Sequence, residues 1–175
     1  MTEDIRYPIG KWVRVEQPDA AVRAEYMMAM SELPAALAAV LDGLTEAQLD
    51  TPYREGGWSP RQIVHHLADS HMNAFSRVKL GVTEDAPVIK PYSERDWALT
   101  ADNRAPAAPS LSILEGVQRR MVLLFESLEP AQFDRTVQHP EHKRALSLAD
   151  LLGLYSWHGR HHVAQISAQR ARNGW

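Results

Sequence analysis

The segment Leu154-Tyr155-Ser156-Trp157-His158-Gly159-Arg160-His161-His162-Val163-Ala164-Gln165 holds three histidines within five residues. Side chains four apart on a helix lie one above the other, so His158 and His162 can present two imidazoles to one metal ion. They continue the inward stripe Leu151, Leu154, Tyr155 and end it at Gln165. His161 is one step aside; His158–His161 is an alternative pair, less well centred on the stripe. Two ligands rarely make a site. A third is available in His66, within Val64-His65-His66-Leu67-Ala68-Asp69. His65 and His66 cannot both face inward, and the phase of Ile63, Leu67, Ser70 and Asn73 gives the inward place to His66, leaving His65 the more exposed. His71 is five residues from His66 and points to a different face. His139 and His142 fall in a polar loop and read as solvated surface.

Three imidazoles leave an ion with at least one open position, the catalytic rather than the structural pattern. They leave its 2+ charge intact, which favours anions and lowers the pKa of bound water or thiol towards neutral. Imidazole suits zinc, nickel, copper and iron; zinc or nickel is the expected ion. No His-Glu-x-x-His is present, so the metalloprotease helix with its glutamate base is excluded. Asp69 is the nearest carboxylate, placed to orient a ligand or act as a weak base, or simply to pair with Arg77. Asn73 and Tyr155 join Asp69 as candidate catalytic-pocket residues, chosen from helical phase. Amide hydrolysis wants a proton shuttle, whereas thiol addition wants chiefly a thiolate. The lack of an obvious base therefore favours a small thiol as nucleophile, with Asp69, His65, His161 and Tyr155 as the available shuttles.

These residues need elements to carry them. A chain of 175 residues, 45% hydrophobic and 23% charged, fits a single domain over residues 1–175. The net charge of −3 leaves no basic excess for phosphate neutralisation, so nucleic acid is not the expected partner. With no cysteine, disulfides, thiolate ligands and a cysteine nucleophile are excluded. The charged start Met1-Thr2-Glu3-Asp4-Ile5-Arg6 and the absence of any apolar run near ~18 residues predict a cytoplasmic protein with no membrane partner.

Residues 1–16 lack periodicity and form an expected N-terminal arm. From Asp19 an apolar stripe runs through Met27 and Leu33 to Leu44, with Pro34 predicting a kink or two abutting helices. Thr45-Glu46-Ala47-Gln48 is a capping box. Ser59 with Pro60 and Gln62 marks a firm helix start, running to Gly81. Four prolines between 82 and 109 exclude one long helix there and predict a crossover, with a short helix at Ser93–Trp97. Ser110 is the expected cap of the third main helix. Arg135–Ala145 is a loop or small hairpin, and Ser147 caps the fourth helix, with Asp150 at its third position. The fold expected is all-α, a four-helix bundle with a long crossover between main helices 2 and 3; such bundle cores commonly hold metal sites. A faint repeat relates Leu44-Thr45-Glu46-Ala47-Gln48-Leu49-Asp50 to Leu128-Glu129-Pro130-Ala131-Gln132-Phe133-Asp134. As pseudosymmetry, it would set the two histidine-bearing helices face to face.

The block Asp50-Thr51-Pro52-Tyr53-Arg54-Glu55-Gly56-Gly57-Trp58-Ser59, the segment Gln62 to Asn73, Lys90-Pro91-Tyr92 and Leu154 to His162 resemble the YfiT branch of the DinB/YfiT-like superfamily. The resemblance runs from Tyr7 to Trp175. It implies a four-helix bundle whose three-histidine metal site maps onto His66, His158 and His162. Members commonly carry the provisional name metal-dependent hydrolase, and better understood relatives are S-transferases and isomerases using low-molecular-weight thiols such as bacillithiol or mycothiol. A homodimer is implied as well. Gln165 departs from a histidine found in at least one relative. The alternative to a metal-dependent hydrolase or thiol S-transferase is a non-catalytic metal-binding or metal-sensing bundle.

Overall fold

The computed structural model of the chain describes residues 4–141 and 144–175; His142 lies outside the described residues. Four long helices carry the fold: α1 (Ala20–Leu41), α3 (Pro60–Thr83), α5 (Ala108–Glu126) and α6 (Leu148–Asn173), with single turns α2 (Glu46–Leu49) and α4 (Glu94–Trp97) between them. Three starts follow from reciprocal caps. Ser59 Oγ accepts from the Gln62 N–H while Gln62 Oε1 accepts from the Ser59 N–H, and Thr45–Gln48 and Ser147–Asp150 repeat the arrangement. Each satisfies two amide donors that a helix start leaves open. α1 runs through Pro34 as one helix.

The start of α5 differs from expectation. Its cap position is Ala107 and Pro109 sits in the first turn, where a missing N–H costs nothing. Ser110 therefore lies inside the helix rather than at its cap. The polar segment after Arg135 is a small hairpin: β1 (Thr136–Val137) pairs antiparallel with β2 (Leu146–Ser147).

Two apolar clusters fill the bundle. One contains Met30, Ala74, Val78, Met121, Phe125, Leu148, Leu151, Leu152 and Tyr155. The other contains Leu33, Leu37, Ile63, Val64, Leu67, Leu114 and Ile166. Read in chain order, α1 and α6 pass from the first cluster to the second, whereas α3 and α5 pass from the second to the first. The bundle is thus up-down-down-up, with α1 against α6 and α5, and α3 against α5 and α6. Because α3 and α5 run the same way, the segment joining them must return along the bundle, which is the crossover the prolines predict. It is pinned on the way: Ile89 N–H donates to Gln138 O, and Gln138 N–H to Pro87 O. The two halves run in opposite senses and bring the histidine-bearing α3 and α6 together, as the faint repeat suggests.

The N-terminal arm runs antiparallel along α6. Arg6 O accepts from Gln165, Gly10 O from Trp157, and Arg14 pairs with Asp150. Burial opposes the Asp150 charge, yet hydrogen bonds from Arg14, the Ser147 N–H and Arg144 hold its pKa below the usual carboxylate range. Among the described residues no helix is long and apolar enough to cross a membrane.

Candidate metal centre

The histidines of α3 and α6 occupy a polar layer between the two apolar clusters. Along α3 the sequence passes from Ile63, Val64 and Leu67 through His66, Ser70 and His71 to Ala74 and Val78. Along α6 it passes from Leu151, Leu152 and Tyr155 through His158, His161 and His162 to Ile166. Antiparallel packing brings the two polar stretches level.

Within that layer His66, His158 and His162 each offer one nitrogen, all within 4.8 Å of one another. His66 Nε2 and His158 Nε2 stand 3.1 Å apart. The ring centroids lie 4.7–5.1 Å apart at interplanar angles of 69–88°, so nitrogens rather than ring faces converge. His66 and His162 are buried and His158 is half-buried. The indole of Trp58 lies against the group, 4.4 Å from the His66 ring. Burial pushes all three imidazoles well below their ordinary pKa, and each also repels another member of the group. They are neutral near pH 7, the form that binds a metal.

The outer nitrogens decide which lone pairs face inward. Gln165 Nε2 has acceptors at Arg6 O (2.9 Å), His161 Nε2 (3.0 Å) and Tyr53 Oη (3.2 Å). Its Oε1 is thereby turned to His162 Nδ1 at 2.8 Å. His162 carries its proton on Nδ1 and presents the Nε2 lone pair to the group. His158 Nδ1 lies 3.3 Å from His71 Nε2, and His71 Nδ1 lies 3.0 Å from Gln118 Nε2. For His158 Nε2 to offer a lone pair, Nδ1–H must donate to His71, whose Nδ1–H then needs an acceptor. Gln118 Oε1 is buried and unpartnered; amide orientation is an assignment made from the network, and turning this amide over supplies that acceptor. His158 and two buried groups, His71 on α3 and Gln118 on α5, thus fit an ion-binding tautomer of His158. The convergence, the neutrality and this tautomer logic all fit a divalent ion.

The expected pocket residues divide. Tyr155 is buried beside the group, its ring edge-on to His71 (5.2 Å) and His158 (6.0 Å), and its hydroxyl accepts from Arg77 at 3.1 Å. Burial raises its pKa, so it is a phenol at neutral pH. Asp69 is half-buried; burial raises its pKa, and the charges acting on it come from Asp102 and His65. Its backbone carbonyl accepts from Asn73 Nδ2 at 2.8 Å. No hydrogen bond joins Asp69 or Asn73 to the three imidazoles, and Arg77 pairs with Tyr155 and Lys90 O rather than Asp69.

One expectation is corrected. His65 is buried, not exposed: its Nδ1 meets Ser110 Oγ at 2.7 Å and its Nε2 meets Ala105 O at 3.1 Å. The returning crossover and the first turn of α5 cover it, and helical phase within α3 cannot report that cover. His71 does lie on a different face from His66, but that face is fully buried against α5 and α6. Of the supporting groups, Gln165 was visible on the α6 stripe. Gln118 carried no signal, and Trp58 entered only as part of the block that resembles the family, since their partners sit on other elements.

A family model described as the DinB superfamily matches residues 29–166. The chain is 50% identical over 174 residues to a protein of Geobacillus thermodenitrificans provisionally named a metal-dependent hydrolase, with 99% of this chain and 98% of the relative covered. It is 41% identical over 173 residues to YfiT of Bacillus subtilis, which bears the same provisional name, with 98% and 97% covered. A solved structure of that YfiT matches this fold with a TM-score of 0.96 over 98% of this chain and 99% of that one. It is described as an unusual four-helix bundle topology and, provisionally, as a metal-dependent hydrolase.

Proposed function

The chain belongs to the DinB superfamily, and from that premise we propose that it is a metal-dependent enzyme acting on a small electrophilic substrate. The observation that carries the proposal is the convergence of His66, His158 and His162, with His162 Nδ1 and His158 Nδ1 already engaged by Gln165 and His71. A divalent ion held there supplies a Lewis acid with an open position and lowers the pKa of a bound water or thiol. His66, His158 and His162 hold the ion, and Gln165 and His71 fix the ring orientations. Trp58 shields the buried side, and Tyr155 borders the half-buried His158 as a neutral hydroxyl. Zinc or nickel is the ion proposed, and a homodimer, implied by the family resemblance, completes the reading.

Within it, transfer of a low-molecular-weight thiol is favoured over hydrolysis. Among the described residues no carboxylate is hydrogen-bonded to the three imidazoles, and the field at Asp69 comes from Asp102 and His65. The described residues thus place no ready base for water beside them, whereas a thiol needs only to lose its proton. Asp69 and Asn73 enter the proposal as wall residues one to two turns beyond His66. Metal analysis of untagged protein tests the site: wild type is expected to retain a divalent ion, and His66→Ala, His158→Ala and His162→Ala to lose most of it. Wild-type metal content in all three variants would overturn the assignment. A panel of esters and amides run with and without small thiols separates the chemistries, and thiol-independent turnover would favour the hydrolytic alternative.

A further inference from the structure

Beside the triad lies a cavity of about 210 Å³ whose wall includes His158, Tyr155, Ser70, Arg77, Glu94 and Glu141. His158 is the one half-buried member of the triad, so the cavity meets the triad at its accessible ligand. A second depression of about 410 Å³ shares Arg77, Glu94, His139 and Glu141 with the first, which places these groups where the two spaces join.

The Arg77 guanidinium is half-buried and points its donors at two neutral oxygens, Tyr155 Oη and Lys90 O, each at 3.1 Å. It forms no ion pair with a carboxylate among the described residues. Glu94 stands on the rim; partial burial of its carboxyl raises its pKa, Arg77 opposes that shift and Glu141 adds to it. Arg77 and Glu94 thus face one space without touching. Opposite charges that do touch largely satisfy each other. Kept apart across a cavity, they leave a guanidinium free to take a carboxylate in a charge-assisted pair and a carboxylate free to take an ammonium.

We propose that this cavity binds a small zwitterion, its carboxylate on Arg77 and its ammonium on Glu94. Tyr155 holds the guanidinium in place, and the rest of the molecule reaches past Tyr155 to His158. Only this last step rests on the enzymatic reading above; the charge selection belongs to the cavity itself.

Ligand-observed NMR titration of 4-aminobutyrate, butyrate and butylamine tests it on metal-free and zinc-loaded protein. The three probes share a chain and differ in which charges they carry. 4-Aminobutyrate is expected to bind at least about tenfold tighter than either singly charged probe, in both forms of the protein. Arg77→Met is expected to reduce its affinity to that of butylamine, and Glu94→Gln to that of butyrate. Glu94→Gln sits on the rim, so it reports even where Arg77→Met impairs folding. Equal affinities for the three probes, or a ranking unmoved by both substitutions, would overturn the assignment. Failure to take up zinc would instead sink the enzymatic reading, and the metal-free titration would still decide the cavity.

Discussion

His162 presents the correct nitrogen because Gln165 has no other way to satisfy its amide. Three acceptors surround Gln165 Nε2, and the remaining oxygen can only receive the His162 Nδ1 proton. Replacing the amide by an isosteric hydrocarbon removes that constraint without emptying the space. Gln165→Leu is expected to weaken metal affinity by about 10–100-fold, the usual consequence of losing a ligand's orienting partner. Competition against a chromophoric chelator measures it, and an unchanged affinity would remove Gln165 from the site. Gln118→Leu is expected to act in the same direction, and nitrogen-15 spectra should then show His158 shifting between tautomers. The converging histidines were readable in the sequence because four-residue spacing and the apolar stripe are properties of one helix. Gln165 apart, the supporting contacts were not, because His71 meets Gln118 and His65 meets Ser110 across helices, and single-helix phase is blind to such partners.

The helices hold the site by close approach. An added Cβ on Gly159 would lie 2.5 Å from Leu33 Cδ2 and 3.2 Å from Leu33 Cγ, and Leu33 is itself buried. Gly159→Ala is therefore expected to push α6 from α1 at the turn between His158 and His162. The expected cost is about 1–3 kcal/mol of overpacking with a parallel loss of metal affinity, read by urea unfolding and chelator competition. Between α3 and α6 the buried imidazoles set a pH dependence. Burial lowers the His71 pKa to about 4, while Gln118 opposes that shift, and the imidazole's ordinary value is 6.5. The unfolded chain therefore binds more protons than the folded one between those values, and stability present above pH 6.5 is lost as the pH falls towards 4. His71 alone accounts for about 3 kcal/mol across that interval, and His66, His158 and His162 act in the same direction. The urea midpoint of metal-free protein is expected to fall steadily from pH 7 to pH 4.5; a flat profile would mean that these imidazoles are solvated. Capping boxes made the starts of α2, α3 and α6 plain from sequence, whereas the start of α5 was misplaced because Pro109 fits a first turn as well as a loop.

In the up-down-down-up bundle, two apolar clusters lie on either side of the histidine layer and neither contains a member of the triad. Apolar burial in those clusters, rather than ligation, drives the helices together. On the proposed function, a metal ion would then add to a fold that already stands, by binding the native state alone. At a free-ion concentration about a hundredfold above Kd this is worth about 2.7 kcal/mol, or roughly 5–10 °C in Tm for a chain of this size. Chelation is expected to lower Tm by that amount while leaving the far-ultraviolet circular dichroism at 25 °C unchanged. A purely structural centre predicts the other outcome, loss of helicity once the ion is removed, as in small domains that fold only around their metal. The two readings are thus separated by one calorimetric scan and one spectrum. Retained helicity with a lowered Tm places the ion where the geometry does, in a prebuilt layer between two cores, with its exposed side left for chemistry.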